Sequence, residues 1–306
     1  MTAILGSGRP LDALVGPAGS GKTTTLAALT ELWIENLGPV VGLAPSATAA
    51  HTLASALGIP CETTAKWLHE SVGPGAKDRG RAYANMTAAG AGATGRERLR
   101  VRAKTIALQV ESGRWSMTRG QLVIVDEASL ADTRTLAAIV EQARVAGAKV
   151  LIVGDHLQRG SVDAGGAFAM LASRGPTAEL TSLWRFTHPW EARASLELRR
   201  AHPAALDVYD AHVAFSGGTR EDMLDAALTA TTAAREHGQV AILQAADLRT
   251  VRELNLRAHT AAVSAGAVTG EGVKLHDGLT AGVGDRVVAR RNQRRIRTTD
   301  GYVRNG

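Results

Sequence analysis

The chain has 306 residues, 45% of them hydrophobic, which is enough for one or two domains with proper cores. Its formal net charge of +6 argues modestly for a polyanionic partner. No apolar run approaches the roughly 20 residues of a membrane span, no secretory segment precedes the first motif, and a single cysteine, Cys61, excludes an internal disulfide, so the expected compartment is the cytoplasm.

The first element is a short apolar strand, residues 11–15, followed by Gly16-Pro17-Ala18-Gly19-Ser20-Gly21-Lys22-Thr23. Then comes a helix on which Leu26, Leu29, Trp33 and Leu37 fall at helical spacing. The stretch between them matches G-x-x-x-x-G-K-[ST], and strand, loop, helix is the context that pattern requires. Gly16, Gly19 and Gly21 let the backbone turn its N–H groups inward onto phosphate oxygens. Lys22 would reach the β- and γ-phosphates, and the Thr23 hydroxyl would hold Mg²⁺. Ser20 and Thr24 complete the expected contacts, and the start of the helix adds its positive end to the anion site. ATP with Mg²⁺ is the expected ligand; the alternative is a glycine-rich turn that binds no nucleotide.

A second strand, 40–44, leads into Pro45-Ser46 and an alanine-rich helix, where Ser46 is suited to capping. Residues 71–120 then interrupt the alternation. They hold Gly73-Pro74-Gly75, Gly90-Ala91-Gly92 and the basic stretch Arg96–Lys104, and they predict a helical excursion from the core. The apolar strand 121–125 ends in Asp126-Glu127-Ala128-Ser129. At the carboxyl end of a buried parallel strand, Asp126 would hold the Mg²⁺ shell and Glu127 would take a proton from attacking water. The competing reading is ordinary capping of a helix start. Strand 149–153 ends in Gly154-Asp155-His156-Leu157-Gln158, where Gln158 could sense a γ-phosphate or orient water; the competing reading is an ordinary polar loop after a strand. Arg185, between Trp184 and Phe186, reads either as an arginine finger or as a packed surface residue.

Four strands alternating with helices predict a mainly parallel α/β sheet over residues 1–180, with the insertion at about 71–120. A second domain, 181–306, follows. There, 196–201 and 223–236 read as helices, 240–243 as a strand, and 254 to about 266 as a helix. Short β segments begin near 273, including 287–289. Residues 286–306 hold seven arginines, Arg290 and Arg291 among them, against one acid, Asp300. That cluster could track a phosphate backbone or form a solvated basic hairpin. The final Asn305-Gly306 reads as a hairpin turn without its return strand. The nine histidines are scattered and suggest no metal site.

Taken in order, Gly16–Thr23, Gly42–Ala50, Thr63–Leu68, Asp126–Ser129, Gly154–Gln158 and Trp184–Phe186 resemble the motifs of a superfamily 1, RecD-like DNA helicase. More narrowly, the chain resembles the helicase part of MobF-type conjugative relaxases, the TrwC/TraI family. Trp190-Glu191, Ala194-Ser195-Leu196, Leu198-Arg199 and Gly284–Val288 extend the likeness over nearly the whole chain. The resemblance implies a P-loop NTPase of RecA-like fold, a partial second RecA-like motor domain with a small β-module, and a motor that hydrolyses ATP to move on single-stranded DNA. Ser46, Thr48 and Thr64 are the DNA contacts it implies, and other conjugation machinery is an implied partner. The chain departs from that family in showing no nicking tyrosine cluster or metal-binding histidine set, and in stopping before the later helicase motifs, so it reads as a fragment. Two other functions compete: a P-loop ATPase not acting on DNA, and a nucleotide- and DNA-binding remnant without turnover.

Overall fold

The computed structural model describes residues 2–158, 166–175 and 177–290, and the strands 293–298 and 301–303. The chain divides into two compact units, Met1–Leu206 and Asp207–Gly306. The segment 181–206, expected to open the second domain, counts with the first unit in this division.

In the first unit, a short α1 (Thr2–Leu5) precedes β1 (Leu11–Val15) and α2 (Lys22–Asn36). Then come β2 (Val40–Ala44), α3 (Ala47–Leu57), β3 (Cys61–Thr63) and α4 (Thr64–Ser71). The interruption is two helices, α5 (Pro74–Gly92) and α6 (Gly95–Arg114). The chain re-enters the sheet as β4 (Leu122–Val125), followed by a 3-10 turn, α7 (Thr133–Ala146) and β5 (Lys149–Gly154). It continues through α8 (Ala167–Arg174), β6 (Thr177–Glu179) and α9 (Pro189–Arg199), and α10 (Ala204–Ala211) crosses the division between the units.

The strands form one six-stranded sheet in the order β3-β2-β4-β5-β1-β6, and every pairing in it is parallel. Both faces are covered, which is why the central strands are apolar throughout rather than alternating. Val123, Val125, Val150 and Ile152 face a core with Trp67, Trp115, Leu136, Ile139 and Phe168. Leu122, Ile124, Leu151 and Val153 face the opposite one, with Leu26, Leu29, Trp33 and Leu53. Each fully buried Leu or Ile of these layers contributes about 1.5–3 kcal/mol. Asp12 enters the core on β1 because Lys149 on β5 pairs with it at 2.6 Å and Arg9 at 2.9 Å.

The four predicted strands of the first domain are present, and β3 and β6 add short edges that their sequences did not announce. Helix α2 ends one residue before Leu37, which caps it and is exposed. Cys61 is half-buried, and burial pushes its thiol up to about 11, so it stays protonated and inert.

The second unit holds α11 (Arg220–Glu236), with a Thr219/Asp222 capping box, and α12 (Leu248–Ser264), capped by Asp247. Arg257 of α12 joins them through Glu221 and Asp225 of α11, and also pairs with Glu253 on its own helix. Two antiparallel hairpins follow: β7 (Gly272–Lys274) with β8 (Thr280–Gly282), and β9 (Gln293–Thr298) with β10 (Gly301–Val303). The strand expected at 240–243 does not form: among the described residues no strand pairs with it, and Val240 and Ile242 are 93% and 78% exposed. Residues 287–289 also carry no strand. Arg291 and the Asn305-Gly306 turn lie outside the described residues.

Candidate nucleotide site

The carboxyl ends of β1, β4 and β5 open into one cleft of about 870 Å³, lined among others by Lys22, Thr23, Asp126, Glu127, Gln158 and Arg185. Parallel α/β sheets place ligands at this edge because the loops after adjacent strands converge there. Within the first loop, Gly16 N–H donates to the Gly154 carbonyl (3.1 Å), which ties it to the end of β5. Gly21 caps α2 at φ 81°, a left-handed conformation that favours glycine. A Cβ on Gly19 would sit 2.6 Å from the Cβ of Arg185. The first turn of α2 holds no acidic residue and no side-chain cap, so its N–H groups remain available to an anion.

Lys22 Nζ donates to the Gly16 and Pro17 carbonyls at 2.7 and 3.0 Å. Burial lowers its pKa, against the opposing pull of the Asp126 and Asp155 carboxylates. The Ser20 hydroxyl is buried without a hydrogen-bond partner among the described residues. Thr23 faces the cleft, whereas Thr24 lines an adjoining cavity of about 560 Å³ with Ser20, Gly21, Thr181 and Trp184. Trp184, 78% exposed, lines both spaces, and its backbone N–H donates to the Gly19 carbonyl (2.8 Å).

Asp126 N–H is held by the Leu43 carbonyl (2.9 Å), and one Asp126 oxygen accepts the Glu127 N–H (2.9 Å). Burial raises the pKa of Asp126. Burial and then the neighbouring Asp126 charge raise that of Glu127. Glu127 sits at φ 51°, ψ 35°, a left-handed conformation costing a non-glycine residue roughly 1–2 kcal/mol. Two adjacent carboxylates, Asp126 half-buried and Glu127 exposed to the cleft, form no ion pair among the described residues and, beside the Thr23 hydroxyl, fit a hard divalent cation. Among the described residues no group of three or more His, Cys, Asp or Glu could hold a metal ion by itself. The remaining Mg²⁺ ligands would therefore be phosphate oxygens and water.

Gln158 Nε2 donates to Asp155 Oδ2 (3.1 Å), and the Leu157 N–H donates to Asp155 Oδ1 (3.1 Å). Asp155, 2% exposed, is clamped by Arg199 of α9 through Nη2–Oδ1 at 2.6 Å and Nε–Oδ2 at 2.9 Å. Asp155 and Arg199 lie inside motif stretches visible in the sequence, but their separation of 44 positions hides their partnership. Of the expected DNA contacts, Ser46 and Thr48 are exposed just past β2. The Ser46 hydroxyl accepts the Ala49 N–H (3.1 Å), so it does cap α3. Thr64 is 5% exposed in the first turn of α4, which turns it toward the core. Arg290 is exposed in the second unit.

A glycine loop that wraps a helix start, an Asp-Glu pair at the end of β4 and a glutamine at the third strand end define a P-loop NTPase-like domain. The chain belongs to the family described as AAA domain, whose model matches residues 1–220. It is similar to the conjugal transfer protein TraA of Rhizobium radiobacter, with 28% identity over 96% of this chain and 24% of that protein. A probable conjugal transfer protein TraA of Sinorhizobium fredii is 30% identical over 66% of the chain and 15% of its own length. The ATP-dependent RecD2 DNA helicase of Deinococcus radiodurans is 31% identical over 58% of the chain and 20% of that helicase. The chain thus spans about a quarter or less of these relatives. No helix among the described residues is long and apolar enough to cross a membrane.

Proposed function

We propose that this chain is the ATP-hydrolysing motor of a DNA helicase, and more narrowly the helicase part of a MobF-type conjugative relaxase that moves on single-stranded DNA. The convergence of Lys22, Asp126, Glu127, Gln158 and Arg185 on one cleft carries this reading. Similarity to TraA over nearly the whole chain, and to RecD2 over much of it, supports the DNA track and the conjugative setting.

In this reading the backbone N–H groups of Gly19 to Thr23 and the Lys22 ammonium hold the phosphates of ATP. Thr23 and Asp126 hold Mg²⁺, which when bound draws charge from the phosphate oxygens. Glu127 accepts the proton of the attacking water; its raised pKa makes it a better base than an unperturbed carboxylate. Gln158, oriented by Asp155, positions that water or senses the γ-phosphate. Arg185 stabilises the charge on the transferring phosphoryl group. Ser46 and Thr48 contact DNA phosphates, with Arg290 and Arg291 as further contacts.

The test is ATP turnover with and without a single-stranded oligonucleotide. Stimulation is the expected result. Turnover indifferent to DNA would favour an ATPase with another track. Nucleotide binding without turnover in either condition would reduce the chain to a binding remnant.

A further inference from the structure

The α5–α6 hairpin, residues 74–114, carries nine Lys and Arg against three Asp and Glu, an excess that equals the net charge of the whole chain. Some of these cations have structural duties. Arg79 pairs with the Glu70 carboxylate and also donates to its carbonyl oxygen, which ties α5 to α4. Arg81 pairs with Asp78. The Arg114 guanidinium lies 5.2 Å from the ring centroid of Trp115, itself edge-on to Trp67 at 6.0 Å. The Arg79 and Arg114 contacts fix the base of the hairpin to the domain, whereas the Arg81–Asp78 pair stays within α5.

Arg96, Arg98, Arg100, Arg102 and Lys104 have no such duty. All five are exposed, and none forms an ion pair among the described residues. On α6 they fall into two rows, Arg96-Arg100-Lys104 and Arg98-Arg102, each stepping by four residues. Like charges at that spacing repel and destabilise the helix that carries them. A polyanion lying along α6 would turn that repulsion into attraction. The cations of each row recur about every 6 Å along the axis, a repeat that a sugar–phosphate chain can follow.

We infer that α6 is a DNA-backbone contact of the first unit, binding phosphates without reading sequence. Helix α6 contains no aromatic residue on which a base could stack, so the contact is one of charge. An acidic protein is the other occupant to weigh, because Leu99, Ile106 and Val110 leave an exposed apolar stripe on the same helix. The excess of cations over that small stripe favours nucleic acid. The inference rests on the proposed DNA track and adds a second place where the chain meets it.

The test compares the full chain with Arg96→Gln/Arg100→Gln/Lys104→Gln and with a charge-matched control, Arg119→Gln/Arg134→Gln/Arg174→Gln, by titration with oligothymidylate and with a duplex across a salt series. The hairpin variant should keep its circular dichroism and ATP affinity. Its slope of log affinity against log salt should fall by about 2 on the single strand, or nearer 3 on the duplex, while the control keeps the native slope. The probe whose slope falls by its own expected amount, while the other keeps the native slope, identifies the form of DNA that α6 holds. Equal losses in both variants would reduce the effect to net charge and overturn the inference, as would an unchanged hairpin variant. Hairpin-dependent binding of poly-glutamate at least as tight as DNA would assign the surface to an acidic protein instead. Failure of the native chain to bind either DNA would strike the proposed function itself, a distinguishable outcome.

Discussion

Arg199 on α9 grips Asp155 at the end of β5 with two charge-assisted hydrogen bonds, and Asp155 in turn holds Gln158 at the cleft. The chain therefore sets the position of its third strand-end loop from a helix 44 residues further on. Arg199→Ala would leave a nearly fully buried carboxylate unpaired, an arrangement that costs about 3–5 kcal/mol. Chemical denaturation should show a loss of that order. Asp155→Asn/Arg199→Gln, which removes both charges, should lose less. Equal stability of Arg199→Ala and native protein would exclude the clamp.

The same pair sets an acid limit. Burial by itself would raise the pKa of Asp155, but the bonds from Arg199, Leu157 and Gln158 outweigh it and hold the carboxyl below its ordinary value. A group with a lowered folded pKa stabilises the fold above its unfolded pKa, and that stability is lost as pH falls through the folded value. Unfolding midpoints should therefore drop below about pH 4, and Asp155→Asn should flatten that part of the curve.

Asp126 has the opposite sign. Its raised pKa means that the folded chain binds the proton more tightly than the unfolded one, so ionisation near neutral pH opposes folding. Asp126→Asn should raise the melting temperature at pH 7 by about 2–4 °C, on the order of 1 kcal/mol, while weakening Mg²⁺-dependent nucleotide binding. A lower melting temperature would show that the carboxylate is structural.

Glu127 separates binding from hydrolysis. Glu127→Gln keeps shape and loses basicity, so ATP affinity should hold while turnover falls by roughly 10²–10⁴. Glu127→Gly should also abolish turnover but stabilise the fold by about 1 kcal/mol, because glycine accepts the left-handed φ without strain. Native turnover in either variant would remove Glu127 as the base.

Lys22→Ala should weaken ATP binding and abolish turnover with little change in stability, since its ammonium contacts only carbonyls of its own loop. Isothermal titration with ATP checks the first effect. Unchanged affinity would deny Lys22 its phosphate contact.

Local pattern alone specified the strands at 11–15, 40–44, 121–125 and 149–153 and the loop Gly16–Thr23, because buried parallel strands and phosphate loops are written in contiguous residues. It also located Asp126, Glu127 and Gln158, which follow those strands in short stretches, and singled out Arg185 from its setting between Trp184 and Phe186. Only the tertiary structure decided the strand order, the short edges β3 and β6, and the Asp155–Arg199 clamp. Each of these depends on partners distant in the chain, and no local pattern records such a partner. The strand expected at 240–243 makes the same point in reverse: its residues favour an extended chain, but a strand exists only where another strand completes its hydrogen bonds.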